Sequence, residues 1–150
     1  MARKFPLQTL LDLAQSQTDS AARNLQALKQ RWNEAEEKLR QLLAYRDSYR
    51  ERLLESAAGG TSAMVLRDFQ LFMVKLDTAI KLQQEEVVRC QGRWEAGQQE
   101  WLRRRGKVKA FDVLSARHRR AEEKREEQVE QKEQDEFAGK QRARQEPEDL

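Results

Sequence analysis

The feature that most constrains this chain is an apolar repeat in alternating steps of four and three residues, which occurs twice. The first repeat runs from Leu7 to Leu53, the second runs from Leu66 to Phe111, and a glycine pair lies between them. This spacing places apolar side chains along one stripe of an α-helix, and a seven-residue period is typical of coiled coils. With six glycines and two prolines in 150 residues, the chain has few other places where a long helix would end.

Five residues interrupt the repeat without shifting its phase. They are Thr18, Arg46, Gln83, Gly97 and Arg104. Because the apolar spacing continues through each of them, the pattern still predicts one long helix on each side of the glycine pair.

The segment ESAAGGTSAM joins the two repeats. Gly59 and Gly60 can adopt the positive φ found at helix C-termini, and Thr61 or Ser62 can cap the next helix with a side-chain oxygen. Two similar repeats joined by a short turn predict an antiparallel αα-hairpin, in which the numbers of facing residues sum to about 120. The second helix then extends past its partner beyond about residue 114.

We therefore predict an all-α fold, a long antiparallel two-helix coiled-coil hairpin with an overhanging C-terminal helix, in a single domain. The predicted segments are helix one over residues 6–57, a turn over 58–62, helix two over 63–137 and a disorder-prone tail over 138–150. The overhang is densely charged, with Val129 and Phe137 almost its only apolar residues, so we expect order to fade toward the C-terminus.

Composition limits the classes of protein to consider. The chain is 38% hydrophobic and 37% charged, with 29 basic and 26 acidic residues, which is poor material for a layered globular core. The charges are interleaved, so a nucleic-acid-binding footprint is not indicated. One cysteine excludes an internal disulfide and fits a reducing compartment. We see neither a signal peptide nor a run of about 18 apolar residues, and we expect a cytoplasmic protein that does not itself insert into a membrane.

The residues needed for common catalytic and metal sites are scarce. There is no glycine-rich phosphate loop and no pair of cysteines, and His118 is the single histidine. We therefore predict no enzyme activity, no cofactor and no metal site. We interpret His118 as a solvated or partner-facing side chain. Cys90 lies on the seam, which is the stripe of positions spaced alternately four and three residues apart along which the two helices meet, and we interpret it as a buried inert thiol.

The most basic segment is LRRRGKVK, residues 102–109, and it follows Trp94 and Trp101. Both tryptophans fall on the seam, which favours a place in the hairpin core over base stacking. The basic run is then either a solvated face or a contact surface for a protein partner.

The stretch RDFQLFMVKLDTAIKL, residues 67–82, is more apolar than a two-helix seam requires. Phe72 and Ala79 precede the seam positions by one residue, and the hairpin brings them beside Tyr45. These side chains either thicken the core near the turn or form a docking surface for a protein.

With these features the chain resembles the flagellar export stalk protein family, FliJ, over nearly its whole length. The off-seam matches Tyr45, Phe72 and the DEFA stretch at 135–138 are the most specific, because heptad packing does not require them. The other residues that carry the resemblance are Leu10, Asp12, Leu13, Ala14, Ala21, Ala22, Arg23, Ala35, Glu36, Glu37, Leu39, Leu42, Tyr49, Arg50, Leu53, Phe69, Gln70, Leu76, Ala79 and Ile80.

The resemblance implies a non-enzymatic stalk of the bacterial flagellar type III protein export apparatus. Such a stalk inserts in the hexameric export ATPase and promotes its assembly, links it to the membrane export gate, and escorts export chaperones. It would be a monomeric hairpin when free, cytoplasmic, and peripheral to the cell membrane through the apparatus. The alternatives are the equivalent stalk of a virulence type III secretion system and a generic homodimeric coiled-coil adaptor.

The resemblance also implies two contact surfaces. The side patch, expected to dock on the export gate, consists of Leu42, Tyr45, Tyr49, Phe72, Leu76 and Ala79. The basic run, a candidate contact for the ATPase, consists of Arg103, Arg104, Arg105, Lys107 and Lys109.

Overall fold

The computed structural model describes residues 3–145, which form a short N-terminal segment followed by two long helices joined by a short turn. Helix α1 is Gln8–Ala58, of 51 residues, and helix α2 is Ala63–Gln145, of 83 residues. The helices pack antiparallel against each other, and no strand occurs within the described residues. The predicted all-α hairpin with a longer second helix is therefore confirmed.

The turn between the two helices is formed by glycine residues that end α1 and a serine that caps α2. The Gly59 amide donates to the Glu55 carbonyl at 3.0 Å, and Gly60 has a φ of 77°, the left-handed conformation that ends many helices. The Val65 amide donates to Ser62 Oγ at 3.3 Å. Ser62, one of the two candidates, is therefore the residue whose side chain caps α2.

Helix α2 ends later than the sequence pattern predicts. It continues to Gln145 rather than stopping near residue 137, because alanine, lysine, glutamine and arginine in the segment AGKQRARQ all favour helix. Every residue from Glu123 to Gln145 is exposed. The last part of the predicted tail, residues 146–150, lies outside the described residues.

The contacts within the chain define two compact units. The terminal unit combines Met1–Thr18 with Arg104–Leu150, and the turn unit is Asp19–Arg103. In both units every predicted seam position is buried or half-buried. The most buried apolar side chains are Ala14 and Val108 in the terminal unit and Ala35, Leu76, Ile80 and Cys90 in the turn unit. The single-domain organisation stays a prediction.

In the turn unit, the three residues that interrupt the repeat each have a specific neighbour. Gln83 is 9% exposed and donates from Nε2 to the Ala35 carbonyl at 3.0 Å. Arg46 Nη1 lies 3.7 Å from Asp77 Oδ1. At Gly97, a Cβ atom would lie 2.7 Å from Leu28 Cδ1, so the absence of a side chain is what allows the two helices to approach here.

In the terminal unit, the two interruptions are also hydrogen-bonded. The Thr18 hydroxyl donates to the Ala14 carbonyl one turn earlier at 2.9 Å, which satisfies a hydroxyl that is 7% exposed. Arg104 Nη1 donates to Gln17 Oε1 at 2.6 Å. A polar seam residue is thus tolerated where its polar atom reaches an acceptor.

Candidate functional site

Four aromatic rings from both helices form a continuous cluster in the turn unit. The ring centroids of Tyr49 and Phe72 are 4.4 Å apart, and those of Tyr49 and Phe69 are 5.0 Å apart. Tyr45 meets Phe72 edge-on with ring centroids 6.1 Å apart, and it meets Tyr49 in a tilted arrangement with ring centroids 6.2 Å apart. These separations are those of favourable aromatic pairs, so the cluster joins α1 to α2 as well as offering a surface.

The members of the predicted side patch differ in accessibility. Tyr45 is 47% exposed, whereas Leu76 is 6% exposed and belongs to the core. The others are half-buried: Leu42, Tyr49, Phe72 and Ala79. A partner that docks on this patch would therefore meet Tyr45 first, whereas Leu76 lies in the core.

Helical spacing explains why Phe72 and Ala79 differ from the core residue Leu76. Positions 72 and 79 are seven residues apart and lie on one stripe of α2, whereas the seam passes through Leu76 and Ile80 on the adjacent stripe. Ile80 is 3% exposed. The apolar surplus of residues 67–82 is thus divided between the core and a flank beside it.

The predicted basic run is divided between the two units. Arg103 belongs to the turn unit, and it donates to both carboxylate oxygens of Glu100, from Nε at 3.0 Å and from Nη2 at 2.7 Å. The hydrogen bonds and charge of Glu100 raise the pKa of the Arg103 guanidinium. Arg104, Arg105, Lys107 and Lys109 belong to the terminal unit, and Arg104 is half-buried against α1 while the other three are exposed.

The start of the chain is fixed to α2 by residues that the sequence reading did not assign. His118 Nε2 lies 2.8 Å from the Arg3 carbonyl, which can only accept, so this nitrogen carries the proton. The Phe5 and His118 rings are 5.7 Å apart. The ring is half-buried and holds the N-terminal segment, so His118 is solvated only in part and has a partner within the chain.

Glu122 is a second residue that sequence reasoning missed. Although it is a carboxylate, it is 8% exposed, and it accepts from the Arg3 amide at 3.4 Å and from Arg125 Nη2 at 2.6 Å. The available signal was its spacing, because position 122 continues the four-three steps from Phe111 through residues 115 and 118. The seam of the terminal unit therefore extends to Glu122.

Cys90 is a buried free thiol in the turn unit, as predicted. Burial raises the pKa of this thiol, and the nearby Glu86 carboxylate, which accepts from Sγ at 3.4 Å, raises it further. Hydrogen bonds from Arg89 and then from Cys90 lower the pKa of Glu86. The thiol is therefore held in its neutral, weakly nucleophilic form.

Trp94 lies in the interior between the helices, as its seam position predicts. Its ring centroid is 5.3 Å from that of Trp32, and Lys29 Nζ lies 3.9 Å from the Trp32 ring centroid. This arrangement combines an aromatic pair with a cation–π contact.

Among the described residues, no group of three or more His, Cys, Asp or Glu side chains is arranged to hold a metal ion, and no helix is long and apolar enough to cross a membrane.

Comparison with known proteins agrees with the sequence and the fold. A family model described as "Flagellar FliJ protein" matches residues 3–147. The flagellar FliJ protein of Salmonella typhi is 29% identical over 138 residues, which is 92% of this chain and 94% of that protein. The Escherichia coli K12 protein of the same name is 28% identical over the same shares of the two chains.

A solved structure has a similar fold. It is that of a protein of Chlamydia trachomatis described as a YscO homolog, with a TM-score of 0.72 and 19% sequence identity, covering 97% of this chain and 99% of that one. This likeness concerns the helical hairpin. The family match, which spans nearly the whole chain, shows that the protein belongs to the flagellar FliJ protein family.

Proposed function

We propose that this protein is a non-enzymatic stalk of the bacterial flagellar type III export apparatus, which inserts in the hexameric export ATPase and connects it to the membrane export gate. The observation that carries the proposal is the aromatic cluster, which combines the half-exposed Tyr45 with ring contacts from both helices. An exposed aromatic ring beside half-buried apolar side chains gives a hairpin specific affinity for a protein partner. In this role the protein is cytoplasmic, peripheral to the membrane through its partners, and escorts export chaperones.

Docking on the export gate is tested with Tyr45→Ala. We expect this variant to lose at least about tenfold in affinity for the gate protein, because a rigid half-exposed aromatic ring is a typical interface anchor. The measurement is a binding titration with the purified cytoplasmic part of the gate. The matched control is Leu71→Ala, because Leu71 is 55% exposed and lies one residue from Phe72, off the Phe72–Ala79 stripe.

The outcome of the two variants separates docking from fold stability. Equal loss of gate binding in Leu71→Ala and Tyr45→Ala would remove the docking assignment. A loss of binding in Tyr45→Ala that tracks a loss of helical signal in circular dichroism would assign the ring to the core instead.

Contact with the ATPase is tested on the basic run. Arg105 and Lys109 are exposed and one helical turn apart on α2, whereas Arg104 is half-buried. We expect Arg105→Glu combined with Lys109→Glu to reduce stimulation of the hexameric ATPase at low salt. Unchanged stimulation at low salt would exclude this surface as the ATPase contact.

Salt dependence provides a second test of the division between the surfaces. Contacts between exposed charges weaken as ionic strength rises, whereas burial of an apolar patch is less sensitive. We expect ATPase binding to weaken more steeply than gate binding between low and physiological salt. If the affinities for the ATPase and for the gate fall equally steeply as salt rises, the assignment of one surface to charged contacts and the other to apolar contacts is contradicted.

The alternatives predict different partners and masses. A virulence-type stalk would bind the ATPase of an injection system in preference to the flagellar one in a competitive pull-down. A homodimeric adaptor would sediment at about twice the mass of one chain, whereas the stalk proposal expects a monomeric hairpin. The match to a flagellar protein over 92% of the chain favours the flagellar assignment.

A further inference from the structure

The terminal unit contains an apolar groove of about 500 Å³ between α1 and α2. Leu10 and Leu13 line it from α1, and Ala110, Phe111 and Leu114 line it from α2. Leu10 is 47%, Leu13 53% and Leu114 41% exposed. Leaving these leucines in water costs the free energy that their burial against a partner would recover.

The groove has the geometry of a helix-binding site. Leu10, Leu13 and Gln17 are spaced three and four residues apart and form one stripe of α1. Lys107, Ala110, Leu114 and Arg117 follow the same spacing on α2. Two parallel rows of side chains along a helix pair form a channel into which the side chains of a third helix can pack.

The charges at the groove indicate what kind of helix fits. Lys107 is part of the lining, no acidic residue is, and Arg117 continues the same stripe of α2. Both basic residues are exposed. An occupant with acidic side chains beside its apolar stripe would therefore be favoured, and one with basic side chains would be repelled.

We propose that this groove binds an acidic amphipathic α-helix of a protein partner. The apolar stripe of the helix packs on Leu10, Leu13 and Leu114, and its flanking carboxylates lie near Lys107 and Arg117. The side patch near the turn takes no part in this contact. The proposal is thus independent of docking on the export gate.

The test uses the full chain and two synthetic peptides of about 20 residues, long enough to form helix. Both peptides carry the same leucine stripe at helical spacing, one with glutamates beside it and the other with lysines. Fluorescence anisotropy at low salt measures the affinity of each peptide. We expect saturable binding of the glutamate peptide and at least about tenfold weaker binding of the lysine peptide.

Variants place the binding in the groove. Leu13→Gln on α1 and Leu114→Gln on α2 should each weaken the glutamate peptide at least about fivefold, because each removes an apolar contact from a different wall. The matched control is Val88→Gln, since Val88 is 66% exposed in the turn unit. Lys107→Glu combined with Arg117→Glu should reverse the preference between the two peptides.

Several results would overturn the proposal. Equal affinity for the two peptides would show that charge does not select the occupant, and unchanged binding in both leucine variants would place the peptide elsewhere. Sedimentation that shows a dimer dissolved by Leu13→Gln would assign the groove to a second copy of the chain. Circular dichroism of each variant verifies that the helices are retained.

Discussion

Three of the four glycines inside α2 allow a quantitative test of how closely the helices pack. A helical glycine destabilises by about 1 kcal/mol relative to alanine. No side chain or distant backbone atom lies within 4 Å of the Cβ that would be added at Gly92 or Gly106. We therefore expect Gly92→Ala and Gly106→Ala each to raise the free energy of unfolding by about 1 kcal/mol, and Tm by about 2–4 °C.

Gly97→Ala should give no such gain in stability. Its added Cβ would lie 2.7 Å from Leu28 Cδ1 and 3.6 Å from Leu25 Cδ1. The first separation is well inside van der Waals contact, and overpacking of this kind costs about 1–3 kcal/mol. After subtracting the gain in helix propensity, we expect Gly97→Ala to change the unfolding free energy by about 0 to −2 kcal/mol.

A double-mutant cycle identifies the cause. In a Leu28→Ala background the clashing methyl group is absent, so Gly97→Ala should stabilise by about 1 kcal/mol, as at the two open glycines. Urea unfolding followed by circular dichroism measures all variants. The reasoning is refuted if Gly97→Ala stabilises the native chain as much as Gly92→Ala does, or if its effect is the same in both backgrounds.

Three further expectations follow from the contacts described above. Tyr45→Ala should lower the unfolding free energy by about 1 kcal/mol and the more enclosed Tyr49→Ala by about 2–3 kcal/mol, measured by urea unfolding; equal losses would contradict the described burial. Glu122→Gln should lower the unfolding free energy by about 1 kcal/mol in the same assay, because it weakens the hydrogen bonds to Arg3 and Arg125. The control Glu123→Gln, which changes the exposed neighbouring residue, should not change the unfolding free energy. Because the pKa of Cys90 is raised above its ordinary 9.0, the stability it contributes is complete below that value and is lost as pH rises through the folded-state pKa. Iodoacetamide should accordingly modify it at least about tenfold more slowly in the folded chain than in urea, by mass spectrometry.

The heptad spacing was sufficient to predict the fold because a two-helix hairpin has a single seam. Each seam position depends on its own place in a seven-residue period and on the turn that sets the register, and both are local features of the chain. The same spacing separated Phe72 and Ala79 from Leu76 and so located the flank near Tyr45. The identity of the family was likewise readable from off-seam residues.

The reasons for the interruptions in the repeat became visible only in the three-dimensional contacts. In the sequence, Gln83, Gly97 and Arg104 are all simply seam positions without an apolar side chain. In the structure, each of them has a different reason for being there. Gln83 reaches a carbonyl on the other helix, Gly97 admits Leu28, and Arg104 bonds Gln17. These partners are distant in sequence, so their geometry depends on how the helices approach each other rather than on any local propensity.

The sequence by itself thus determined two helices, their turn, the seam and the apolar flank, because periodicity and turn chemistry act over a few residues. Only the tertiary structure decided that His118 and Glu122 hold the N-terminal segment, that Leu76 belongs to the core while Tyr45 is exposed, and that leucines of both helices line one groove in the terminal unit. Each of these outcomes depends on distances between side chains far apart in the chain. Such distances follow from packing, which a one-dimensional pattern does not encode.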